Sequence, residues 1–155
     1  MTQAKYPLTR EEFETIYSKV PRLCVDLIVV TPQGIVLSER VDPPAAGLWH
    51  LPGGTVYKGE RLAQTAHRIA REELLLTPED FNAPPQRLDV IEYDFSHEAG
   101  YTGFPVGVVY VLRTQKTPQL GRSAASLACF RTLPQNMIAE QKQFVEAWAK
   151  RYDEV

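Results

Sequence analysis

Two adjacent acids, Glu72 and Glu73, are the residues whose position points most clearly to chemistry. They stand near the end of residues 61 to 75, a stretch without glycine or proline that is typical of a helix. On a helix that turns about 100° per residue, Glu73 lies about 20° from Leu62, on the apolar face that also carries Ile69. A carboxylate on such a face is costly unless it has a charged partner or a bound cation.

A hard divalent cation such as Mg²⁺ suits these two acids, because it takes few oxygen ligands from a protein and keeps water and room for phosphates. The alternative is a solvated acid pair in which Arg68 and Glu72 form an ordinary surface ion pair four residues apart. The acids alone leave both interpretations open.

A glycine turn precedes the acidic helix and adds a second indication of a binding site. Gly53 and Gly54 allow the backbone to approach a ligand closely, and they can present a carbonyl to a metal or amides to a phosphate. Lys58 and Arg61 follow nearby. A plain turn is the alternative, but this one leads through Glu60 directly into the acid-bearing helix, which favours a binding loop.

Gly54, Glu60, Arg68, Glu72 and Glu73 have spacings that resemble the box of the Nudix hydrolase superfamily, G-x5-E-x7-R-E-U-x-E-E-x-G-U with U aliphatic. The resemblance implies an α/β (α+β) sandwich, a mixed and mostly antiparallel sheet between helices, with the box as a loop and helix over residues 54 to 76. It also implies that Glu60 pairs with Arg68 and holds the loop against the helix. The implied cofactor is Mg²⁺, with Mn²⁺ as an alternative.

Residues 8 to 76 as a whole also resemble the GDP-mannose mannosyl hydrolase branch of that superfamily. By this resemblance, Arg40 helps to bind the pyrophosphate and Asp26 lies near the sugar. Without it, Arg40 would be taken as a surface ion-pair residue, and Asp26 as a strand residue facing water or a hydrogen-bonded buried acid.

Four positions depart from the pattern that the resemblance predicts. Ile69 replaces the usual third acid of the box and Leu75 replaces its last glycine; Thr55 stands where the mannosyl hydrolase branch has an arginine, and Ile138 about where it has a catalytic histidine. With one acid missing, the resemblance implies a cation held by Glu72, Glu73, the Gly53 carbonyl and water.

The resulting hypothesis is a Mg²⁺-dependent hydrolase of a nucleoside diphosphate linked to another group, with a nucleotide sugar as one candidate. Glu72, Glu73 and Arg40 would take part in catalysis, and the site of attack, at phosphorus or at carbon, stays open. The general base is equally open, and its candidates are Glu72 acting through water, Glu140, Glu92, Asp94, Glu98 and the histidines His50, His67 and His97. A Nudix-like module that binds a nucleotide or a protein without hydrolysis is the rival interpretation.

The remaining elements must position this site. A capping-box pattern from Thr9 to Glu12 predicts a helix over residues 10 to 19, whose apolar face we expect to pack on the main body. Strands are predicted over residues 23–31, 35–41, 88–95, 104–113 and 126–132, two short extended pieces over 49–57, and a closing helix over 137–151 with Phe144, Val145 and Trp148 facing inward.

Composition limits the function classes. With 155 residues, 44% of them hydrophobic, we expect a single domain over residues 1 to 155 that folds without a structural metal. A net charge of −2 argues against nucleic-acid binding, and no apolar run is long enough to cross a membrane. The partner that the resemblance implies is a small nucleotide substrate, and a homodimer stays open.

The amino terminus and the cysteines predict a cytoplasmic protein. The first residues contain no apolar segment of the kind that begins a secretory signal. Cys24 and Cys129 lie far apart in apolar segments and form no CxxC pair, so we expect buried reduced thiols rather than a disulfide or a zinc site.

Overall fold

The structure is a computed structural model that describes residues 7–121 and 126–153. Its elements begin and end close to the predicted bounds. In chain order they are α1 (Arg10–Tyr17), β1 (Arg22–Thr31), β2 (Gly34–Glu39), β3 (Trp49–His50), β4 (Gly53–Thr55), α2 (Leu62–Leu74), a single 3₁₀ turn (Pro78–Asp80), β5 (Gln86–Glu92), β6 (Pro105–Arg113), β7 (Leu127–Phe130) and α3 (Ala139–Asp153).

All seven strands belong to one mixed sheet. Its main path runs β3-β2-β1-β6-β5, while β4 pairs with β1 and β7 pairs with β2. β1 and β6 run parallel along their whole lengths, and the other pairs of named strands run antiparallel. The prediction of a mixed and mostly antiparallel sheet is therefore confirmed.

Strand β1 organises the sheet, because different strands pair with it along one of its edges. Its residues 24–26 pair with β4, and its residues 30–31 pair with β2. The alternation of side chains along a strand sends Val25, Leu27 and Val29 to the face covered by α2. Ile28 points to the opposite face, into the core that includes Val145 of α3. The sheet thus lies between helices, as the resemblance implied.

Helix α1 departs from the prediction in length and in packing. It ends at Tyr17 rather than at residue 19, and the amides of Lys19 and Val20 both donate to the Ile16 carbonyl just beyond its end. None of its residues is buried, and Ile16 is 40% exposed. The expectation that its apolar face packs on the main body is confirmed only at Phe13, which is half-buried with its ring 5.4 Å from the guanidinium of Arg22, whereas Tyr17 lines an open cleft beside the sheet.

Helix α2 ends at a residue whose backbone is strained. Leu75 follows the last helical residue with φ 54° and ψ 37°, which is the left-handed conformation that glycine adopts without steric cost. Its side chain is 48% exposed, so it contributes little packing. This is the position at which the box usually has glycine.

We therefore expect Leu75→Gly to raise the free energy of unfolding by about 1 kcal/mol, because the left-handed conformation costs a residue with a Cβ about that much. Urea denaturation measures the change. Leu75→Ala is the matched control: it removes the exposed side chain but keeps the Cβ, so it should bring no gain. Equal stabilisation by both variants would contradict a backbone origin.

The middle of β1 carries a buried carboxylate. Asp26 is 6% exposed and lies over Gly53 of β4 and Gly107 of β6, where any side chain would collide with it. Burial, only partly offset by a hydrogen bond from Tyr93, raises the pKa of Asp26 from 3.8 to about 6. The folded chain thus binds this proton more tightly than the unfolded chain does.

It follows that Asp26 makes the free energy of unfolding fall as the pH rises from about 4 to above 6, by about 3 kcal/mol in total. We expect Asp26→Asn to be more stable than the natural protein at pH 7.5, with the difference shrinking toward pH 4. Urea titrations in EDTA at several pH values measure this. Glu92→Gln, which alters an exposed strand acid, serves as the control; a stability difference for Asp26→Asn that does not depend on pH would contradict the prediction.

Candidate active site

The buried side chain of Arg68 ties helix α2 to the segment from Gly53 to Glu60, which we call the glycine loop. Its Nε donates to Glu60 Oε2 at 2.7 Å, and its Nη2 donates to Glu60 Oε1 at 3.1 Å and to the Thr55 carbonyl at 2.7 Å. The guanidinium also stacks on the ring of Tyr57, 3.6 Å from its centroid. Arg68 therefore joins three residues of the loop to helix α2.

Glu72 completes this cluster from the helix. Its Oε2 accepts a hydrogen bond from Arg68 Nη1 at 3.3 Å, and the two side chains are only 15% and 8% exposed. The pair four residues apart thus forms, but it is not the solvated surface pair of the alternative interpretation. Burial alone would lower the pKa of Arg68, but the hydrogen bond and charge of Glu60 and the charge of Glu72 raise it overall.

Glu73 points into a different environment. It is half-buried and lines a cavity of about 160 Å³, which we call the Glu73 cavity, together with Gly53 and Arg40. Asp42 and His50 contribute to the same walls. The sequence therefore correctly placed Glu73 beside the glycine turn, and the structure adds Asp42 as a third acid of this region.

A divalent cation would find oxygen donors here, but few of them from side chains. Within residues 7–121 and 126–153, no three His, Cys, Asp or Glu side chains are close enough to hold a metal by themselves. The donors suit a hard cation that also takes a backbone carbonyl, water and substrate oxygens. Glu73 and Gly53 thus fit one side of a Mg²⁺ site of the implied kind, with the rest of the shell left to solvent and substrate, whereas Glu72 is bonded to Arg68 and does not line this cavity.

Arg40 connects the Glu73 cavity with a second cavity of about 90 Å³, which we call the Asp26 cavity, lined by Arg22, Asp26, Arg40, His50 and Gly53 among others. Its Nε donates to the Pro44 carbonyl at 2.6 Å, which fixes the guanidinium. Burial and then the nearby charge of Arg22 lower the pKa of Arg40. Two guanidinium groups that repel each other across a cavity favour the binding of an anion.

Arg22 is a site residue that the sequence analysis missed. Its Nη1 donates to the Thr55 hydroxyl at 3.0 Å and lies 3.1 Å from Cys24 Sγ. A positive charge therefore stands beside position 55, where the resemblance expects an arginine and finds Thr55. The signal was present, because Arg22, Cys24 and Asp26 alternate along one strand and must share a face.

A buried chain of hydrogen bonds holds Asp26 in place. The Tyr93 hydroxyl donates to Asp26 Oδ2 at 2.6 Å, and Gln141 Nε2 donates to the Tyr93 oxygen at 2.8 Å. Gln141 Oε1 in turn accepts from the Leu51 amide at 2.7 Å. Nothing in the sequence indicated this chain, since its members come from four separate segments.

His50 is the only one of the candidate general bases that lines both cavities. Its Nδ1 donates to the Ser38 carbonyl at 2.8 Å, which leaves Nε2 as the unprotonated nitrogen. Burial, with a smaller contribution from Arg40, lowers the pKa of His50 to about 4. The ring is therefore neutral near pH 7 and acts as a hydrogen-bond acceptor.

The other candidate bases lie outside the walls of these two cavities. Glu140 accepts from the Asp94 amide and Glu98 from the Ala45 amide, so both stabilise loops. The remaining candidates are Glu92, Asp94 and His97, which are exposed, His67, which lines a separate cleft, and Glu72, which is paired with Arg68.

Two of the departures from the pattern that the resemblance predicts are explained by packing. Ile69 is 2% exposed in the core under α2, and its Cγ1 lies 3.5 Å from where a Cβ on Gly54 would stand. Ile138 is buried and lines the Asp26 cavity. Apolar side chains thus fill the places where the resemblance expects an acid and a histidine.

Both cysteines are free, as their separation predicted. Cys24 is buried in the wall of the Asp26 cavity, and Cys129 is half-buried. Burial raises the pKa of Cys24 to about 12. The thiol therefore stays protonated and is not a nucleophile.

The helices that the structure describes include none that is both long and apolar enough to cross a membrane.

Comparisons with known proteins agree with this geometry. Residues 20–149 match the family model of the NUDIX domain. A curated relative, the low-salt glycan biosynthesis protein Agl8 of Haloferax volcanii, is 44% identical over 75 residues, which are 46% of this chain and 48% of the relative. The match thus spans about half of that protein.

Solved structures share the fold. A MutT NUDIX hydrolase from Burkholderia pseudomallei has a TM-score of 0.70 and 25% identity, over 83% of this chain and 98% of that chain. A bifunctional NMN adenylyltransferase/ADP ribose pyrophosphatase from Francisella tularensis, complexed with AMP and a Mn ion, has a TM-score of 0.70 and 21% identity, over 91% of this chain and 46% of that chain. Because the family model covers most of the chain and the box residues form the expected loop and helix, the chain belongs to the Nudix family.

Proposed function

We propose that this chain is a Mg²⁺-dependent hydrolase of a nucleoside diphosphate joined to another group, with Mn²⁺ as an alternative cation. One observation carries the proposal: the anion-attracting pair Arg22 and Arg40 adjoins the cavity in which Glu73 and Gly53 meet. Positive charge for phosphates and oxygen donors for a cation thus stand side by side, as hydrolysis of a pyrophosphate requires.

The arginines would bind the diphosphate. A guanidinium presents paired N–H donors that match two phosphate oxygens, and burial strengthens such charge-assisted bonds. Arg40 lines both cavities, so it can contact a diphosphate that extends from one to the other.

A bound cation would neutralise charge on the pyrophosphate oxygens and activate or orient water. Glu73 and Gly53 would hold it from the cavity wall, and Glu72 would contribute from the adjacent position on α2. The Mn ion and AMP bound to the Francisella tularensis protein of the same fold support a divalent cation and a nucleotide ligand. Arg68 fixes the loop and helix that carry these donors.

A nucleotide sugar is the substrate class we favour. The Haloferax volcanii relative is named for glycan biosynthesis, and its similarity covers 75 residues of this chain. Asp26 offers a buried carboxylate to a sugar hydroxyl at the floor of the Asp26 cavity, where the Tyr93 hydroxyl fixes its orientation. Neutral His50 could accept a hydrogen bond from the same ligand.

The second candidate function is a Nudix module that binds a nucleotide or a protein without hydrolysing anything. Buried Ile69 and Ile138 favour it, because they stand where the resemblance expects a metal ligand and a catalytic histidine. Against it stand the two carboxylates of α2, for which a pure binding module has no need.

Glu73→Gln separates the two functions. We expect the natural protein to hydrolyse at least one member of a panel of nucleotide sugars, ADP-ribose, dinucleoside polyphosphates and nucleoside triphosphates with Mg²⁺. The variant should lose about 100-fold in kcat/KM, because it removes the charge of a cation ligand. Glu11→Gln, in the exposed first turn of α1, should keep full activity. Activity unaffected by Glu73→Gln would remove the metal site, and binding without turnover by the natural protein would favour the second function.

Arg22→Ala tests the anion site. We expect it to weaken the binding of inorganic pyrophosphate, measured with Mg²⁺ by titration calorimetry, by about 10-fold or more, because a hydrogen bond to a charged group is lost. Arg87→Ala, on an exposed part of β5, is the matched control and should bind as the natural protein does. Equal affinities of all three proteins would exclude Arg22 from the phosphate site.

A further inference from the structure

The two cavities of the site are too small for the whole of the proposed substrate. They measure about 90 and 160 Å³, whereas pockets that enclose ligands of this size measure roughly 300 to 1,000 Å³. A nucleoside diphosphate joined to a sugar must therefore extend into an adjoining space. The nucleoside or the sugar has to leave the region of Arg40 and Asp26.

A cleft of about 640 Å³ opens beside the Asp26 cavity and shares Arg22 with it. We call it the aromatic cleft. One wall is formed by α1 through Phe13 and Tyr17, and the opposite wall by the loop of residues 99–103. Arg22 lies at the junction: its guanidinium is 5.4 Å from the centre of the Phe13 ring, while its Nη1 bonds to Thr55 in the phosphate region.

Tyr101 packs against other residues of the loop wall. Its ring packs edge-on against Phe95 with the centroids 5.8 Å apart. Its hydroxyl lies 2.5 Å from the place where a Cβ on Gly103 would stand, so only glycine there leaves the ring in this position. Tyr101 also lies near Arg40. Its charge interaction raises the pKa of Arg40, against the lowering by burial and by Arg22. A flat aromatic ring thus stands next to Arg40.

The other large cleft that the structure describes is a poor alternative for a base. It measures about 570 Å³ and is lined by Lys58, Gly59, Glu60, Gln64, His67, Arg68 and Arg71. No phenyl, phenol or indole ring lines it, and it shares no lining residue with either cavity of the site. A ligand held at Arg40 would have no continuous path into it.

We propose that the aromatic cleft binds the nucleoside end of the substrate, with the planar base stacked against Tyr101 and Tyr17 and with Arg22 contacting the phosphate next to the ribose. This inference rests on the proposed function, since it assumes a diphosphate at Arg40. It also gives a reason for the exposed position of α1: the apolar residues of this helix face a ligand rather than the protein core.

The test compares a diphosphate without a nucleoside with three that carry one. Titration calorimetry with Mg²⁺ measures the affinities for inorganic pyrophosphate and for GDP, ADP and UDP. We expect Tyr101→Ala to weaken the binding of at least one of these nucleoside diphosphates by about 10-fold, since stacking on an aromatic side chain contributes that much, and to change pyrophosphate binding less than 2-fold. Tyr101→Phe keeps the ring and should restore affinity.

Two further variants show whether a loss of binding comes from the missing ring or from misfolding. Tyr17→Ala lies on an exposed helix and should show the same selective loss. Phe104→Ala is the matched control, because Phe104 is a 49% exposed aromatic residue next to the loop that does not line the cleft; it should change neither affinity.

The outcomes separate this inference from the function on which it rests. Two results would overturn the aromatic cleft as the base site. The natural protein could bind nucleoside diphosphates no more tightly than pyrophosphate, or their tighter binding could persist in both Tyr101→Ala and Tyr17→Ala. Either result would leave the proposed diphosphate site intact. Absence of binding to both kinds of ligand by the natural protein would overturn the proposed function itself.

Discussion

The geometry of the site depends on one buried guanidinium. Arg68 has five donors in a fixed plane, and four of its contacts reach Glu60, Glu72 and the Thr55 carbonyl. A buried charge is stable only when such partners are present. The side chain therefore holds the glycine loop to α2 through several charge-assisted hydrogen bonds. The distance between Gly53 and Glu73 is fixed as a consequence, because Arg68 holds together the loop and the helix that carry them.

The sequence predicted the part of the molecule in which neighbours in space are neighbours along the chain. The periodicity of α2 and the glycine turn lie within residues 53 to 76, so local spacing indicates them, and the pairing of Glu60 with Arg68 was implied by the resemblance. The mixed sheet was predicted from short connections and from the resemblance. Arg22 and the chain from Gln141 to Asp26 were missed, because such contacts depend on how distant segments meet, which local periodicity does not encode.

The departures from the family box have different structural outcomes. The missing arginine at Thr55 is offset in charge, because β1 supplies Arg22 to the same place. The missing acid at Ile69 is not offset in this way, and its position is filled by packing against Gly54. Leu75 keeps the backbone shape of the missing glycine at a cost in strain. A motif match therefore indicates the fold more directly than it indicates which atoms do the chemistry.

The parallel pairing of β1 with β6 has a consequence for how the protein acquires its activity. Arg22 lies opposite Pro105, and Asp26 opposite Val109, so the central strands meet only after a long intervening segment has been arranged. Contacts so distant along the chain form slowly and late. Since the Asp26 cavity also needs Tyr93, which follows β5, and Gln141 of α3, a partly folded chain lacks some of its walls. A ligand can therefore stabilise only the completed molecule, and its binding reports that folding has finished.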